Sequence, residues 1–201
     1  MDIFRILSVR EWNTSWSRIK DEINMNRKTR ILFAITMVLL ISVLLTGCGS
    51  PYKAGIKSLE KGEYGKAAES FKEAIEDEKS IADSYRGLGI ALWEEKDYEG
   101  ALAAFEKAIS EGTEVTATLY SLMGNCLMKL EKYESAVQYY ELALSMEDIS
   151  EELKQETHYN LIAAYEYAGN VDKSKETVKE YIANYPDDED ALREADFLET
   201  R

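Results

Sequence analysis

Cys48 closes a stretch whose residue order sets the chemistry its thiol would meet. Arg27, Lys28 and Arg30 precede an uncharged, mainly apolar run over residues 31–45, and the small residues Thr46 and Gly47 lead into the cysteine. Basic, apolar, small is the order of a secretory signal. The run is shorter than the roughly 20 residues of a comfortable spanning helix. The other residues capable of chemistry are scattered. His158 is the one histidine, on a stretch of helical character and near no obvious nucleophile. Cys126 lies between Asn125 and Leu127, where a buried, apolar cysteine is expected. Glu94-Glu95 and Glu151-Glu152 are adjacent, so each pair points to different sides of a helix and neither forms one carboxylate pair. There is no glycine-rich phosphate loop, paired-cysteine site or histidine cluster. The acidic stretch 187–190 lacks the glycine and spaced ligands of a calcium loop. The sequence therefore offers no catalytic residue, no metal site and no cofactor site, and an enzyme is the last of the expected readings.

Leu45-Thr46-Gly47-Cys48 resembles the lipobox of bacterial lipoproteins, with the matching basic and apolar architecture upstream. The resemblance implies that a diacylglycerol alkylates the Cys48 thiol and that cleavage falls between Gly47 and Cys48. A membrane is then one partner, through the lipid on Cys48. The basic flank stays in the cytoplasm and the chain beyond Cys48 lies on the extracytoplasmic side. The alternative is an uncleaved anchor helix with an incidental cysteine. Residues 25–47 are expected to be the signal peptide, because Met25 opens MNRKTR, a normal n-region. Residues 1–24 are expected to be an artefactual extension. The alternative is a cytoplasmic helix carrying Ile3, Ile6, Leu7, Val9 and Trp12 on one side.

The elements beyond Cys48 must be helical and acidic. The chain of 201 residues holds 24 Lys/Arg against 38 Asp/Glu, a net charge of −14, and residues 1–47 are net basic. The acid excess thus lies beyond Gly47. Such a surface repels phosphate, so no nucleic-acid partner is expected. With 45% hydrophobic and 31% charged residues the composition is that of a folded domain. Only 2 Pro interrupt a sequence rich in Ala, Glu, Leu and Lys, which favours helix throughout.

A repeat follows. Residues 54–75, 88–109 and 123–144 align, with Gly55, Gly89 and Gly124 in register, spaced 34 and 35 residues apart. Tyr64, Tyr98 and Tyr133 correspond, as do Ala67, Ala101 and Ala136; Phe71, Phe105 and Tyr140; and Ala74, Ala108 and Ala143. Each unit has two apolar-periodic stretches around a polar turn, so each is a helical hairpin that must bury one face against the next. Gly89 and Ala101 are expected to face each other where the helices approach, with Phe105 beside them and Tyr98 wedging the turn. The pattern closely resembles the tetratricopeptide repeat. That resemblance implies an all-α, right-handed superhelical solenoid of antiparallel helix pairs. The expected units are 48–81, 82–115, 117–150 and 151–186, with a capping helix at 187–200.

The fourth unit is weaker. Ile162, Ser174, Val178 and Tyr181 stand where small, small, aromatic and small residues are expected. Asp148-x-x-Glu151 reads as a capping box, which predicts a long first helix starting near Ile149. Pro186 ends the second helix. Ala191, Leu192, Ala195 and Leu198 share one face of the closing helix, which would seal the last repeat.

In a solenoid of this kind the first helices line a concave groove. By resemblance, the groove positions are Tyr52, Ile56, Leu59 and Glu60; Arg86, Ile90, Trp93 and Glu94; Ser121, Asn125, Met128 and Lys129; and Tyr159, Ala163, Glu166 and Tyr167. Tyr52, Arg86, Ile90, Trp93, Asn125, Met128, Tyr159 and Tyr167 are the candidate protein-binding residues, since aromatic, Met and Arg side chains mark protein-binding surfaces. Trp93 is expected to be the main anchor, in a row with Met128 and Tyr167. Ser121 replaces the lysine of the chaperone-tail clamp found in some family members, so that activity is not expected. The expected function is a lipid-anchored scaffold that binds an unknown protein or peptide. The alternative is a structural subunit of a cell-envelope assembly, for outer-membrane protein insertion or a pilus or secretion apparatus, acting as a rigid spacer. A ligand-binding protein for cell-wall material is a third option.

Overall fold

A computed structural model describes residues 50–147 and 149–200. The expectations for residues 1–24, for the signal at 25–47, for Cys48 and for Asp148 lie outside these residues. Over the described residues the chain forms helices only: α1 (Pro51–Glu60), α2 (Tyr64–Glu76), α3 (Ile81–Glu94), α4 (Tyr98–Ser110), α5 (Ala117–Lys129), α6 (Tyr133–Leu144), α7 (Glu151–Tyr167), α8 (Val171–Asn184) and α9 (Glu189–Glu199). They pack in chain order, each mainly against its sequence neighbours. First helices of successive repeats also touch, α1 against α3 and α5 against α7. This is a solenoid of antiparallel helical hairpins, with odd-numbered helices side by side.

The hairpins turn on one backbone device. Gly62, Lys96, Glu131 and Gly169 each take a positive φ, between 58° and 76°, at the same place in the four repeats. That left-handed residue ends the first helix and redirects the chain. The second helices of the first three repeats then start at Tyr64, Tyr98 and Tyr133, each half-buried beside its turn. Asp97 caps α4 and Asn170 caps α8 by accepting from the backbone N–H groups of Gly100 (3.0 Å) and Lys173 (3.3 Å).

Packing inside the first three hairpins is glycine against ring. A Cβ at Gly55 would stand 2.7 Å from the Phe71 ring, at Gly89 2.4 Å from Phe105, and at Gly124 2.6 Å from Tyr140. The nearest neighbour of Gly89 is therefore the Phe105 ring and not Ala101. The ring reaches across the hairpin and occupies the volume that a side chain would need. Phe71 also lies 2.4 Å from a Cβ built on Gly87 in the next repeat, so one ring fixes two helix contacts.

The fourth hairpin fills the same space differently. Ile162 on α7 and Val178 on α8 are both 1% exposed, so the first helix carries bulk where the others have glycine, and the buried ring on α8 is Tyr181, at an alanine position of the other repeats. Ser174 takes the alanine position and its Oγ donates to the Ile162 carbonyl (3.1 Å). Helix α7 is long, as expected, but it starts at Glu151 rather than near Ile149. Its cap is Ser150, whose Oγ accepts from Leu153 N–H (3.2 Å). On α9, Ala191 and Leu198 are buried and Ala195 is half-buried. Leu192 is 40% exposed, because the stripe at i, i+4 and i+7 from Ala191 leaves it at the margin.

Candidate protein-binding groove

Helices α1, α3 and α5 lie side by side and enclose a groove of about 310 Å³. Tyr52, Ile56 and Leu59 line it from α1; Asp83, Arg86, Gly87 and Ile90 from α3; Leu119 and Leu122 from α5, with Thr116 and Thr118 at its start. The spacing of three to four residues within each helix is what puts these side chains on one face. Ile56 is 36% exposed, so a large apolar group faces solvent here. Arg86 is exposed and pairs with Asp83 at 3.3 Å. Such a surface pair is worth about 1 kcal/mol or less, so the guanidinium is free to exchange partners.

A second depression of about 340 Å³ lies between α7 and the start of α9. Glu152, Gln155, Glu156 and Tyr159 line it at i, i+3, i+4 and i+7 along α7, and Asp188 and Asp190 face them. No lining residue is basic. At its floor the buried Tyr181 donates to Asp188 Oδ2 (2.6 Å) and accepts from Gln155 Nε2 (3.1 Å). Asp188 also accepts from the Asp190 and Ala191 N–H groups, which caps α9. The Tyr181 hydroxyl, with the Ala191 N–H next, holds the Asp188 carboxyl below the usual carboxylate range. Burial pushes the Tyr159 phenol up, and Asp190, Glu194 and Asp188 push it further, with Arg193 opposing them. The depression thus carries a negative field.

The structure brings Tyr52, Arg86 and Ile90 together in the apolar groove and places Tyr159 in the acidic depression. Trp93, Met128 and Tyr167 lie outside both linings. Trp93 is half-buried with its ring 5.0 Å from Tyr98, packed on the cluster around Phe105. Met128 packs on the cluster around Leu127 and Tyr140. Tyr167 is 64% exposed and stacks on Tyr133 at 5.2 Å. Asn125 Oδ1 accepts from Tyr140 Oη (2.6 Å) and Asn160 Nδ2 (3.3 Å), joining three helices. Ser121, expected in the groove, is buried, and its Oγ bonds Thr157 Oγ1 at 3.1 Å. This is a correction: α5 turns that position onto α7. Leu119 and Leu122 stand five and two residues before Gly124, outside the offsets by which the groove was read, although Gly87 lines it at the second of these offsets in the preceding repeat. Glu152 and Glu156 were legible as a four-residue stripe with Tyr159 on a long helix.

Two further groups are shifted by burial. Burial pushes the Cys126 thiol up to about 12, so it stays protonated at neutral pH. Burial also lowers the His158 imidazole below its ordinary value. Among the described residues no group of three or more His, Cys, Asp or Glu is placed to hold a metal ion. None of the described helices is long and apolar enough to cross a membrane.

A solenoid of helical hairpins with a concave groove defines a helical-repeat protein. Models of the tetratricopeptide repeat match residues 52–115, 117–148 and 156–188. The chain belongs to the tetratricopeptide repeat proteins. Among solved structures, MamA residues 41 to the end from Desulfovibrio magneticus RS-1 is similar with a TM-score of 0.65 at 21% identity, over 76% of this chain and 86% of that one. A second MamA structure gives 0.64 at 18% identity, over 74% and 78%. YrrB, described as a TPR protein with an unusual peptide-binding site, gives 0.64 at 23% identity, over 74% of each chain. At these identities the likeness concerns the fold. No curated protein matches the chain.

Proposed function

We propose that this protein is a lipid-anchored, extracytoplasmic scaffold that binds a protein or peptide segment along the first-helix face of its solenoid. The observation that carries the reading is the apolar groove of α1, α3 and α5. It leaves Ile56 facing solvent and has an exposed arginine at its wall. A groove crossed by successive repeats suits an extended or helical segment laid over the stack. Tyr52, Arg86 and Ile90 act at its centre. Trp93, Asn125, Met128 and Tyr167 act through the packing that sets the spacing of the repeats.

The anchor rests on the residue pattern that ends at Cys48. A single acyl chain binds membranes only marginally, whereas two or more hold stably. The expected result is membrane fractionation that resists salt washing, with incorporation of labelled fatty acid. Cys48→Ser should leave an uncleaved and unlabelled precursor, and normal labelling of that variant contradicts the anchor. Ile56→Asp should abolish recovery of partner proteins and leave the melting temperature near wild type. Unchanged recovery moves the binding site off the groove.

A further inference from the structure

The groove and the depression differ in charge, and that difference selects an occupant. The apolar groove has Arg86 and Asp83 as its charged lining residues, one of each sign, paired at 3.3 Å. The depression one repeat further on presents Glu152, Glu156, Asp188 and Asp190 with no basic residue in its lining. Asp188 is engaged by Tyr181 and by the first turn of α9, and Asp190 is paired with Arg193, so the proposal rests on Glu152 and Glu156. Glu152 and Glu156 are exposed and one helical turn apart on α7, beside the half-buried Tyr159. Their carboxylates face the same space as the Tyr159 phenol, whose cation-attracting ring completes the wall.

We propose that the segment bound in the apolar groove is cationic at one end: its apolar side chains fill the groove of α1, α3 and α5, and a lysine or arginine beyond them lies against Glu152, Glu156 and Tyr159. The inference rests on the groove reading above and adds the chemistry and register of the ligand. Packed helices stand about 10 Å apart, so α7 is about 20 Å from α3, which an extended chain covers in about six residues. The acid excess of the whole chain beyond Gly47 works in the same direction, by steering a cationic partner to this face. Charge complementarity thus sets both which segment binds and which way it lies.

The experiment uses the full chain in nanodiscs of phosphatidylcholine, a lipid without net charge, with empty discs as the blank. The probes are dye-labelled peptides of two leucines, a serine–glycine spacer of about six residues and two lysines, made in both chain orders, with serine or glutamate replacing lysine in controls. Fluorescence anisotropy reports the affinities. The lysine peptide should bind about tenfold more tightly than the serine peptide, the range expected of two exposed charge contacts, and the glutamate peptide more weakly than both. Glu152→Gln with Glu156→Gln should bring the lysine peptide to the serine peptide's affinity and leave the serine peptide unchanged. Added salt should erase the same difference. Ile56→Asp should abolish binding of every peptide. Equal affinities for the three peptides, or a lysine advantage that survives the double substitution, overturns this inference while Ile56→Asp still upholds the groove. No binding at all, or binding indifferent to Ile56→Asp, overturns both.

Discussion

The first three hairpins and the fourth have one backbone and different fillings. In the first three, a glycine on the first helix takes an aromatic ring from the second. In the fourth, Ile162 on the first helix meets Val178 on the second, and both are buried. Close packing requires that the space between the helices be filled wherever the bulk sits, and in the fourth hairpin Tyr181 supplies the buried ring at an alanine position. The contacts between repeats differ as well. Phe71 against Gly87 joins the first two repeats through an apolar contact. The third and fourth share an apolar cluster around Tyr140 and Leu161 and add directed bonds: Ser121 with Thr157, and Asn160 with Asn125. A buried hydroxyl pair is satisfied in one register and costly in others, so these bonds specify what a weaker repeat pattern does not.

The strongest way to break this comparison is to move one solution into the other repeat. Gly89→Ile alone drives a side chain into Phe105 and should cost about 3 kcal/mol. Gly89→Ile with Phe105→Val copies these two positions of the fourth repeat and should recover more than half of that loss. Thermal and urea unfolding of the two singles and the double give the coupling. Strictly additive losses would show that volume exchange is not what distinguishes the fourth hairpin.

A second, smaller effect lies at the polar junction. Thr157→Val strands the buried Ser121 hydroxyl and should cost about 1–3 kcal/mol, whereas Thr157→Val with Ser121→Ala removes both partners and should cost less than the single change. A double variant that is worse than either single would mean that the junction is held by something else.

The turns give the next effect, and it reverses sign. Lys96 and Glu131 hold the left-handed conformation that Gly62 and Gly169 hold in the other repeats. Lys96→Gly or Glu131→Gly should raise stability by up to about 1 kcal/mol, the left-handed strain of an L-residue less the entropy cost of glycine. Gly169→Ala should lower stability, although nothing crowds its missing side chain. Equal melting temperatures across these variants would show that the turn does not set the hairpin.

The smallest effect is a pH dependence in the fourth repeat. Burial lowers the folded-state pKa of His158 below its ordinary 6.5, with Glu180 opposing and Lys154 assisting. The unfolded chain therefore takes up the proton more readily. The stability tied to the neutral imidazole is complete above about pH 6.5 and is lost as pH falls from there. The melting temperature of wild type relative to His158→Gln should fall between about pH 7.5 and 5. A constant difference contradicts this.

The same contrast explains what was legible in the sequence. Gly55, Gly89 and Gly124 with their matching rings announce the helical hairpins, because only one residue type fits opposite a ring. Ile162 and Val178 look like a failed match, since the pattern records where the small residue stands and not how the space between the helices is filled. The start of α7 was misplaced because Ser150 and Asp148 are both good caps, and tertiary position chooses between them. Tyr52, Arg86 and Ile90 were found from their register on first helices. Trp93 and Tyr167 share that register yet pack on Tyr98 and Tyr133 at the hairpin turns, a pairing that depends on how far the helix end extends. Ser121 fell inside because Thr157, on the lengthened α7, offered it a partner.

The most direct test of the central claim compares the two faces of the solenoid in intact cells. A photo-cross-linking residue is placed at Ile56, in the first-helix groove, or at Leu142, 44% exposed on the second helix of the third repeat. The captured segments are then sequenced. The account predicts capture of a defined protein segment from position 56 and none from 142, with apolar residues at the cross-link and a lysine or arginine about six residues away. Capture from position 142 alone would contradict it and would assign the binding surface to the second helices.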